Sequence, residues 1–221
     1  MIHVRTLGAL IALTLVLGVA AAQTNPLAPA PAPAPYVETF SGSDPAVVFG
    51  GVLSIGADAP WTGALTGSAY ELRNATDGGA VRFHYLTSLP GASGPLSQGA
   101  VSVEVVVRAG ASDDVAGAGL ILDYQEATRD YFAFVVTARG YALYRRDAQG
   151  LRALVAEASD LVRAGAAHRL TARTTGGQVD LFIDDTFVLG LESGGPLDGG
   201  IGIVAIGAGT FEYRTFVRQV P

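Results

Sequence analysis

The side chains in this sequence that could do chemistry are few, and their spacing argues against most catalytic designs. Hydrolysis of a glycosidic bond needs two carboxyl groups, about 5–5.5 Å apart for retention of configuration and about 6.5–9.5 Å for inversion. Positions i and i+2 of one strand share a face and stand roughly 6.6 Å apart. A Glu-x-Asp strand would therefore qualify, and no Glu-x-Asp occurs in the chain. Asp123 and Asp130 flank one turn and can face each other across a hairpin. Like charges so placed repel unless a metal or a shared proton relieves them, so both are read as solvated or bonded to turn amides. Outside the N-terminal segment the histidines are His84 and His168, too few for a three-histidine zinc site. No Gly-x-Ser-x-Gly elbow and no phosphate-binding loop is present. The chain has no cysteine, which removes disulfides, thiolate metal sites and a lipidated cysteine anchor. The expectation is no catalytic residue, no metal and no cofactor.

What remains is aromatic and planar polar surface. Strand alternation places Tyr131 with Ala133 and Val135 on one face, and Phe132 with Phe134 and Val136 on the other. It likewise groups Tyr141, Leu143 and Arg145 against Ala142, Tyr144 and Arg146. Tyrosine and arginine on an open face can take a sugar ring by stacking and by hydrogen bonds to its hydroxyls. The candidate ligand-binding residues are Trp61, expected in a loop, together with Asp123, Tyr131, Tyr144 and Arg146. For each of them taken alone, core filling or cover of a sheet surface is the commoner role. His84, between Phe83 and Tyr85, reads as strand decoration, and Asn74-Ala75-Thr76 matches a glycosylation sequon.

These residues depend on a meander from Gly117 to Asp147. Ala118–Tyr124, Tyr131–Thr137 and Tyr141–Arg146 read as strands, separated by the breaks Gln125–Asp130 and Ala138–Gly140. Around it the sequence predicts strands at Tyr36–Phe40, Val47–Ile55, Ala69–Arg73, Val81–Thr87 and Ala100–Val107. Further strands are expected at Leu151–Glu157, His168–Thr174, Val179–Asp184, Thr186–Leu191, Gly200–Ile206 and Thr210–Val220, with one helical turn at most over Asp160–Gly165. Gly176-Gly177 and Asp184-Asp185 are placed as hairpin turns that need positive φ. So many short strands without a helix predict an all-β fold, a two-sheet antiparallel jelly-roll sandwich formed as one domain over residues 36–221.

The chain has 221 residues, 49% of them hydrophobic and 15% charged, enough to bury a core. Its formal charge of −6 argues against nucleic acid and against adhesion to anionic membranes. All 14 basic residues are arginine, for which there is no physical account. His3 and Arg5 precede the apolar run Leu7–Val19, which closes on Ala20-Ala21-Ala22. That pattern predicts a secretory signal peptide over residues 1–22; the run is shorter than the roughly 20 residues that span a bilayer. No membrane span is expected after cleavage. Residues 23–35, with proline alternating with alanine, form an extended spacer, either a stalk or a leader that keeps the cleavage site accessible.

From Gly117 to Val220 the chain resembles the concanavalin A-like lectin/glucanase superfamily, in its laminin-G-like and 3-keto-disaccharide-hydrolase-like bacterial branch. The resemblance rests on Gly119-Leu120-Ile121-Leu122-Asp123-Tyr124 followed by Asp130-Tyr131-Phe132-Ala133-Phe134, and on Gly140–Arg145. It continues through His168-Arg169-Leu170, Gly177, Val179–Asp185, Gly200–Ile203 and Tyr213–Val217, about 100 residues in all. It implies the jelly roll. The glucanases of the superfamily carry Glu-x-Asp-x-x-Glu on one strand, which this chain lacks. The family's turn Asn-Gly is Asp184-Asp185 here, and its final-strand Asp-Asn is Arg214-Thr215, so a calcium site does not carry over. The functional expectation is a secreted or envelope-associated, non-catalytic domain whose partner is a polysaccharide or another envelope component. A hydrolase acting on a sugar or keto-disaccharide and a structural envelope protein are the alternatives.

Overall fold

The computed structural model describes residues 34–76, 78–88, 98–108, 115–195 and 197–219. The expected signal peptide, most of the spacer and most of the loop 88–99 lie outside the described residues. The chain first runs through β1 (Tyr36–Glu38), β2 (Gly56–Asp58), β3 (Trp61–Leu65), β4 (Tyr70–Asn74), β5 (Val81–Leu86), β6 (Gln98–Val107) and β7 (Gly117–Tyr124). It continues as β8 (Tyr131–Thr137), β9 (Gly140–Asp147), β10 (Gly150–Ala158), β11 (Ala167–Thr175), β12 (Gln178–Ile183), β13 (Thr186–Glu192), β14 (Gly200–Ile206) and β15 (Gly209–Gln219). Two antiparallel sheets form a sandwich. One has the order β13-β12-β11-β6-β15-β4-β3-β2 with β1 also on β15, and the other the order β10-β9-β8-β7-β14-β5. No helix among the described residues is long and apolar enough to cross a membrane.

Strand β15 organises the larger sheet. It pairs with β6 from Phe211 to Gln219, and its other edge is shared between β4, at Gly209–Tyr213, and β1, at Phe216–Arg218. The handover coincides with a register shift against β6 between Tyr213 and Thr215. That extra residue keeps Phe211, Tyr213 and Phe216 all pointing inward, each fully buried, although strict alternation would turn Phe216 outward. Val101, Val103, Val105, Leu170, Val179 and Leu181 complete this inner face and meet Leu120, Leu122, Phe134, Leu143, Ile201 and Ile203 from the smaller sheet. Each such side chain contributes about 1.5–3 kcal/mol by leaving water.

Two expectations need correction. Val47–Ile55 is not a strand: Val48–Gly51 forms a 3-10 turn with Phe49 and Gly50 at positive φ, because the glycines after Phe49 let the chain fold its ring into the core. Trp61 is not in a loop. It opens β3, is 3% exposed, and packs 6.2 Å from Phe211, so the sandwich core takes the indole. Residues 160–165 form turns, within the one helical turn at most that the sequence allows. The Gly176-Gly177 and Asp184-Asp185 hairpins stand as expected, with positive φ at all four residues.

One end of the sandwich is closed by Phe40 and Phe49, both fully buried and 5.4 Å apart, with Phe49 edge-on to Phe216 at 5.1 Å. Both residues hold positive φ, and a single carboxylate secures them. Glu38 Oε1 accepts the Phe40 N–H at 2.8 Å and Oε2 accepts the Phe49 N–H at 2.7 Å. Hydrogen bonds to a charged group contribute about 1.5–3 kcal/mol each. Glu38→Ala is therefore expected to lower unfolding free energy by about 2–4 kcal/mol in urea titrations, and Glu38→Gln by about half of that, since an amide offers one acceptor oxygen. An unchanged midpoint in Glu38→Ala would show that water satisfies both N–H groups.

Candidate functional site

The inner face of the six-stranded sheet meets the core, and its outer face is apolar as well. Every residue of β8 and of β14 is buried. On the outer face Ile121, Ala133, Val135, Ala142, Val204 and Ile206 form a second apolar cluster together with Tyr131 and Tyr144. Val81, Phe83, Tyr85, Tyr124 and Leu151 pack against it and keep part of their surface open. One row of the face reads Tyr85, Gly202, Ile121, Ala133, Tyr144 across β5, β14, β7, β8 and β9. Its large rings stand at the two sides, and a glycine and an alanine lie between them.

Tyr85 and Tyr124 belong to strands that do not touch, since β14 lies between β5 and β7. Two strand spacings separate such strands by roughly 9.6 Å, yet the two ring centroids are 4.2 Å apart. Glycine makes this possible. A Cβ at Gly200 would stand 2.8 Å from Tyr85 Cδ2, and one at Gly202 would run into the His84 carbonyl oxygen. With no side chain at either position, the rings fold over β14 and meet. Phe83 extends the group, at 5.0 Å from Tyr124 and 5.4 Å from Tyr131.

A bulge brings Tyr124 onto this face. Against β14 the register passes from Ile121–Gly202 to Tyr124–Gly200, so β7 carries one extra residue, and Asp123 sits there at φ +56°. Strict alternation would have put Asp123 outward beside Ile121 and turned Tyr124 into the core. Instead, Asp123 Oδ1 accepts the Gly199 N–H at 2.9 Å and the Gln125 amide at 2.8 Å, fixing the approach to β14. The neighbouring turn supplies Glu126, which accepts the Tyr85 hydroxyl at 2.9 Å.

Of the five residues singled out from sequence, three share this face. Tyr131 lies opposite Arg146 in the β8–β9 register, and Tyr144 is two residues from Arg146. Tyr131 and Tyr144 are 4% and 7% exposed, so they form the floor, while Arg146 is exposed at the rim. Asp123 lies at the edge and is occupied with backbone, and Trp61 belongs to the core of the other sheet. Phe83, Tyr85, Tyr124 and Glu126 were missed. The alternating stretch Val81–Leu86 carried the signal for Phe83 and Tyr85; strict alternation hid Tyr124.

No protein-family model and no curated protein matches the chain. Solved structures do. A protein of unknown function with a galectin-like fold from Bacillus subtilis superimposes with TM-score 0.59 at 13% identity, over 83% of this chain and 94% of that one. The carbohydrate-binding module CBM66 from Bacillus subtilis gives 0.56 at 12%, over 76% and 100%. A β-glucanase from Bacillus licheniformis gives 0.53 at 8%, over 85% and 98%. The chain shares the jelly-roll sandwich fold of these structures.

In this jelly roll the aromatic face is held from behind by the residue between its two β5 aromatics. His84 is 5% exposed, and its ring lies edge-on to Tyr70 of the facing sheet at 5.5 Å. Nε2 meets the Tyr70 hydroxyl at 2.9 Å and Nδ1 the Val52 carbonyl at 3.0 Å, so the expected strand decoration is in fact an inter-sheet tie. Loss of hydration on burial lowers its pKa to about 4. On the open side, the hydrogen bond to Glu126, followed by loss of hydration, pushes the Tyr85 hydroxyl up to about 12. Burial raises Tyr131 and Tyr144 too, so these phenols stay protonated at neutral pH. His168 is likewise structural: Nδ1 donates to Asp184 at 2.7 Å and Nε2 accepts the Arg163 N–H at 3.0 Å. Asp184 also caps the Arg169 N–H, and Asp185 takes the Arg169 guanidinium, so both turn carboxylates are engaged. Asn74 of the sequon is buried with its amide on the Gly207 carbonyl, which removes it as a glycan acceptor.

The His84 tie has a pH signature. An unfolded histidine takes its proton near pH 6.5 and the folded one only near pH 4, so the unfolded chain binds more protons between those values. The contribution of His84 is therefore complete above about pH 7 and is lost as pH falls from 6.5 to 4, on the order of 3 kcal/mol. Urea titrations of the wild type and His84→Phe are expected to show a stability difference that shifts by this amount in favour of the variant between pH 7 and pH 4. A difference independent of pH would mean that the imidazole titrates in the fold as it does in water.

Proposed function

We propose that this chain is a secreted protein whose jelly roll binds carbohydrate, without cleaving it, on the aromatic face of the six-stranded sheet. The observation that carries the reading is the group of Phe83, Tyr85 and Tyr124 beside the buried Tyr131, in which rings from separate strands meet over glycine and the first three keep part of their surface open. Such rings present C–H-accepting faces to a pyranose, and the Tyr hydroxyls and Arg146 supply polar partners at the margin. Similarity in fold to a carbohydrate-binding module and to a β-glucanase agrees with a sugar as ligand. The carboxylates beside the rings are already engaged: Asp123 holds Gly199 and Gln125, and Glu126 holds Tyr85. That supports binding rather than hydrolysis. The apolar N-terminal run and the proline–alanine spacer support display outside the cytoplasm, on or near the cell envelope.

The test is sedimentation with insoluble cellulose, xylan, chitin and cell-wall sacculi, together with affinity electrophoresis in soluble β-glucan and arabinoxylan. Saturable retention by at least one polymer is expected. Stacking contributes about 0.5–1.5 kcal/mol per ring, so Tyr85→Ala and Tyr124→Ala should each weaken binding roughly two- to tenfold. Trp61→Phe, in the core of the other sheet, should leave affinity unchanged. Retention by none of the polymers, or equal affinity in a Tyr85→Ala/Tyr124→Ala double variant, would overturn the reading.

A further inference from the structure

The outer face of the nine-stranded sheet carries a second, chemically different concavity. It is a cavity of about 170 Å³ lined by Ser102, Arg169, Thr171, Arg173, Asp185 and Gln219 among others. The register explains why these residues converge. Thr171 stands opposite Ser102, and Ser102 opposite Val217; Arg173 stands opposite Ala100, and Ala100 opposite Gln219. Arg169 and Arg173 flank Thr171 on one face of β11, so two long cationic side chains rise on either side of a low floor of Ser, Thr and Ala.

Arg173 is the informative residue. Asp180 lies directly opposite it on β12, yet the guanidinium makes no ion pair among the described residues. It lies instead over the Phe182 ring, 4.3 Å from the centroid, one register row nearer the cavity. Stacking covers one face of the guanidinium and leaves its N–H edges free. Asp180 is engaged by the Gln178 amide at 2.9 Å. Arg169 is held by Asp185, and Glu104, the next acidic group on this face, is shared with Arg214 at 3.7 Å. The Ser102 and Thr171 hydroxyls, the Gln219 amide and the Arg173 guanidinium make no side-chain hydrogen bond among the described residues. Four donor-bearing groups surround one small cavity whose single lining carboxylate, Asp185, is neutralised by Arg169, and such a set matches a ligand that only accepts.

We propose that this cavity binds a single oxyanion group, a carboxylate or sulfate, with Arg173 as the principal ligand and Ser102, Thr171 and Gln219 completing the shell. The site lies on the other sheet from the aromatic face and does not depend on carbohydrate binding there. The anion can be free or carried on an acidic sugar, and the chemistry at the protein is the same. With one unpaired guanidinium and neutral donors, affinity is expected in the millimolar range.

The experiment is amide chemical-shift titration of the ¹⁵N-labelled protein with sodium sulfate, with trigalacturonate and with neutral maltotriose, at constant ionic strength. Saturable shifts at Ser102, Thr171 and Arg173 are expected with one or both anions and with no effect of maltotriose at these positions. Sulfate acting alone would assign a free-anion site, and tighter binding of trigalacturonate would assign an acidic glycan. Arg173→Gln should weaken the response at least fivefold, whereas Tyr124→Ala should leave it unchanged. Shifts that fail to saturate below about 50 mM, or an unaltered response in Arg173→Gln, would overturn the proposal.

Discussion

The six-stranded sheet must bury one apolar face against its partner sheet while holding a second apolar face on the opposite side. Antiparallel sheets in sandwiches normally resolve this by alternation, apolar inward and polar outward. Strands β8 and β14 abandon alternation altogether, with seven consecutive buried residues each. An unbroken apolar strand needs cover on both sides, and here the outer cover comes from aromatic rings that lean inward across small residues. Everything particular to the candidate site follows from that constraint. Gly200 leaves the space the Tyr85 ring occupies, Gly202 lets the β5 backbone approach β14, and Tyr in place of Leu gives the covering surface a polar tip that tolerates water.

The site also depends on elements that never touch it. The β7 bulge rotates Tyr124 outward only because Asp123 adopts a left-handed conformation, and its carboxylate secures that conformation through Gly199. Tyr85 and Phe83 project outward because the residue between them is fixed inward by Tyr70 of the facing sheet. Tyr70 in turn stacks with the Phe40 and Tyr213 rings in the closed end of the sandwich. Packed side chains and one imidazole thus connect the Phe40–Phe49 plug to the aromatic face.

The all-β sandwich was legible in the sequence because hairpin signals are local. Gly176-Gly177 and Asp184-Asp185 require positive φ and obtain it, and the meander from Gly117 to Asp147 forms three adjacent strands of one sheet. The face groupings of Tyr131 and Tyr144 followed from period two within unbroken strands. The failures occur where period two is interrupted or where burial is decided by a distant partner. Asp123 looked like the outward residue because alternation carries no information about a bulge. Trp61 looked like a loop residue because Pro60 and its neighbouring glycines are turn formers, whereas Phe211, 150 positions later, supplies the wall that buries it. His84 looked exposed between two aromatics because the Tyr70 hydroxyl that accommodates it belongs to the other sheet.

Fold similarity is neutral between binding and catalysis here, since the same jelly roll superimposes on a carbohydrate-binding module and on a β-glucanase with nearly equal TM-scores of 0.56 and 0.53. The distinction has to come from how side chains on each face are engaged. A hydrolase site needs carboxyl groups held apart and left available to a substrate. In this chain Glu38, Asp123, Glu126, Asp184 and Glu212 each accept hydrogen bonds from backbone, tyrosine, histidine or arginine groups that position strands and turns. Groups with open faces or free donors among the described residues include rings on one sheet and a stacked guanidinium with two hydroxyls on the other. The two proposed surfaces differ in kind, one offering apolar ring faces and the other hydrogen-bond donors, and the carboxylates named above serve structural roles.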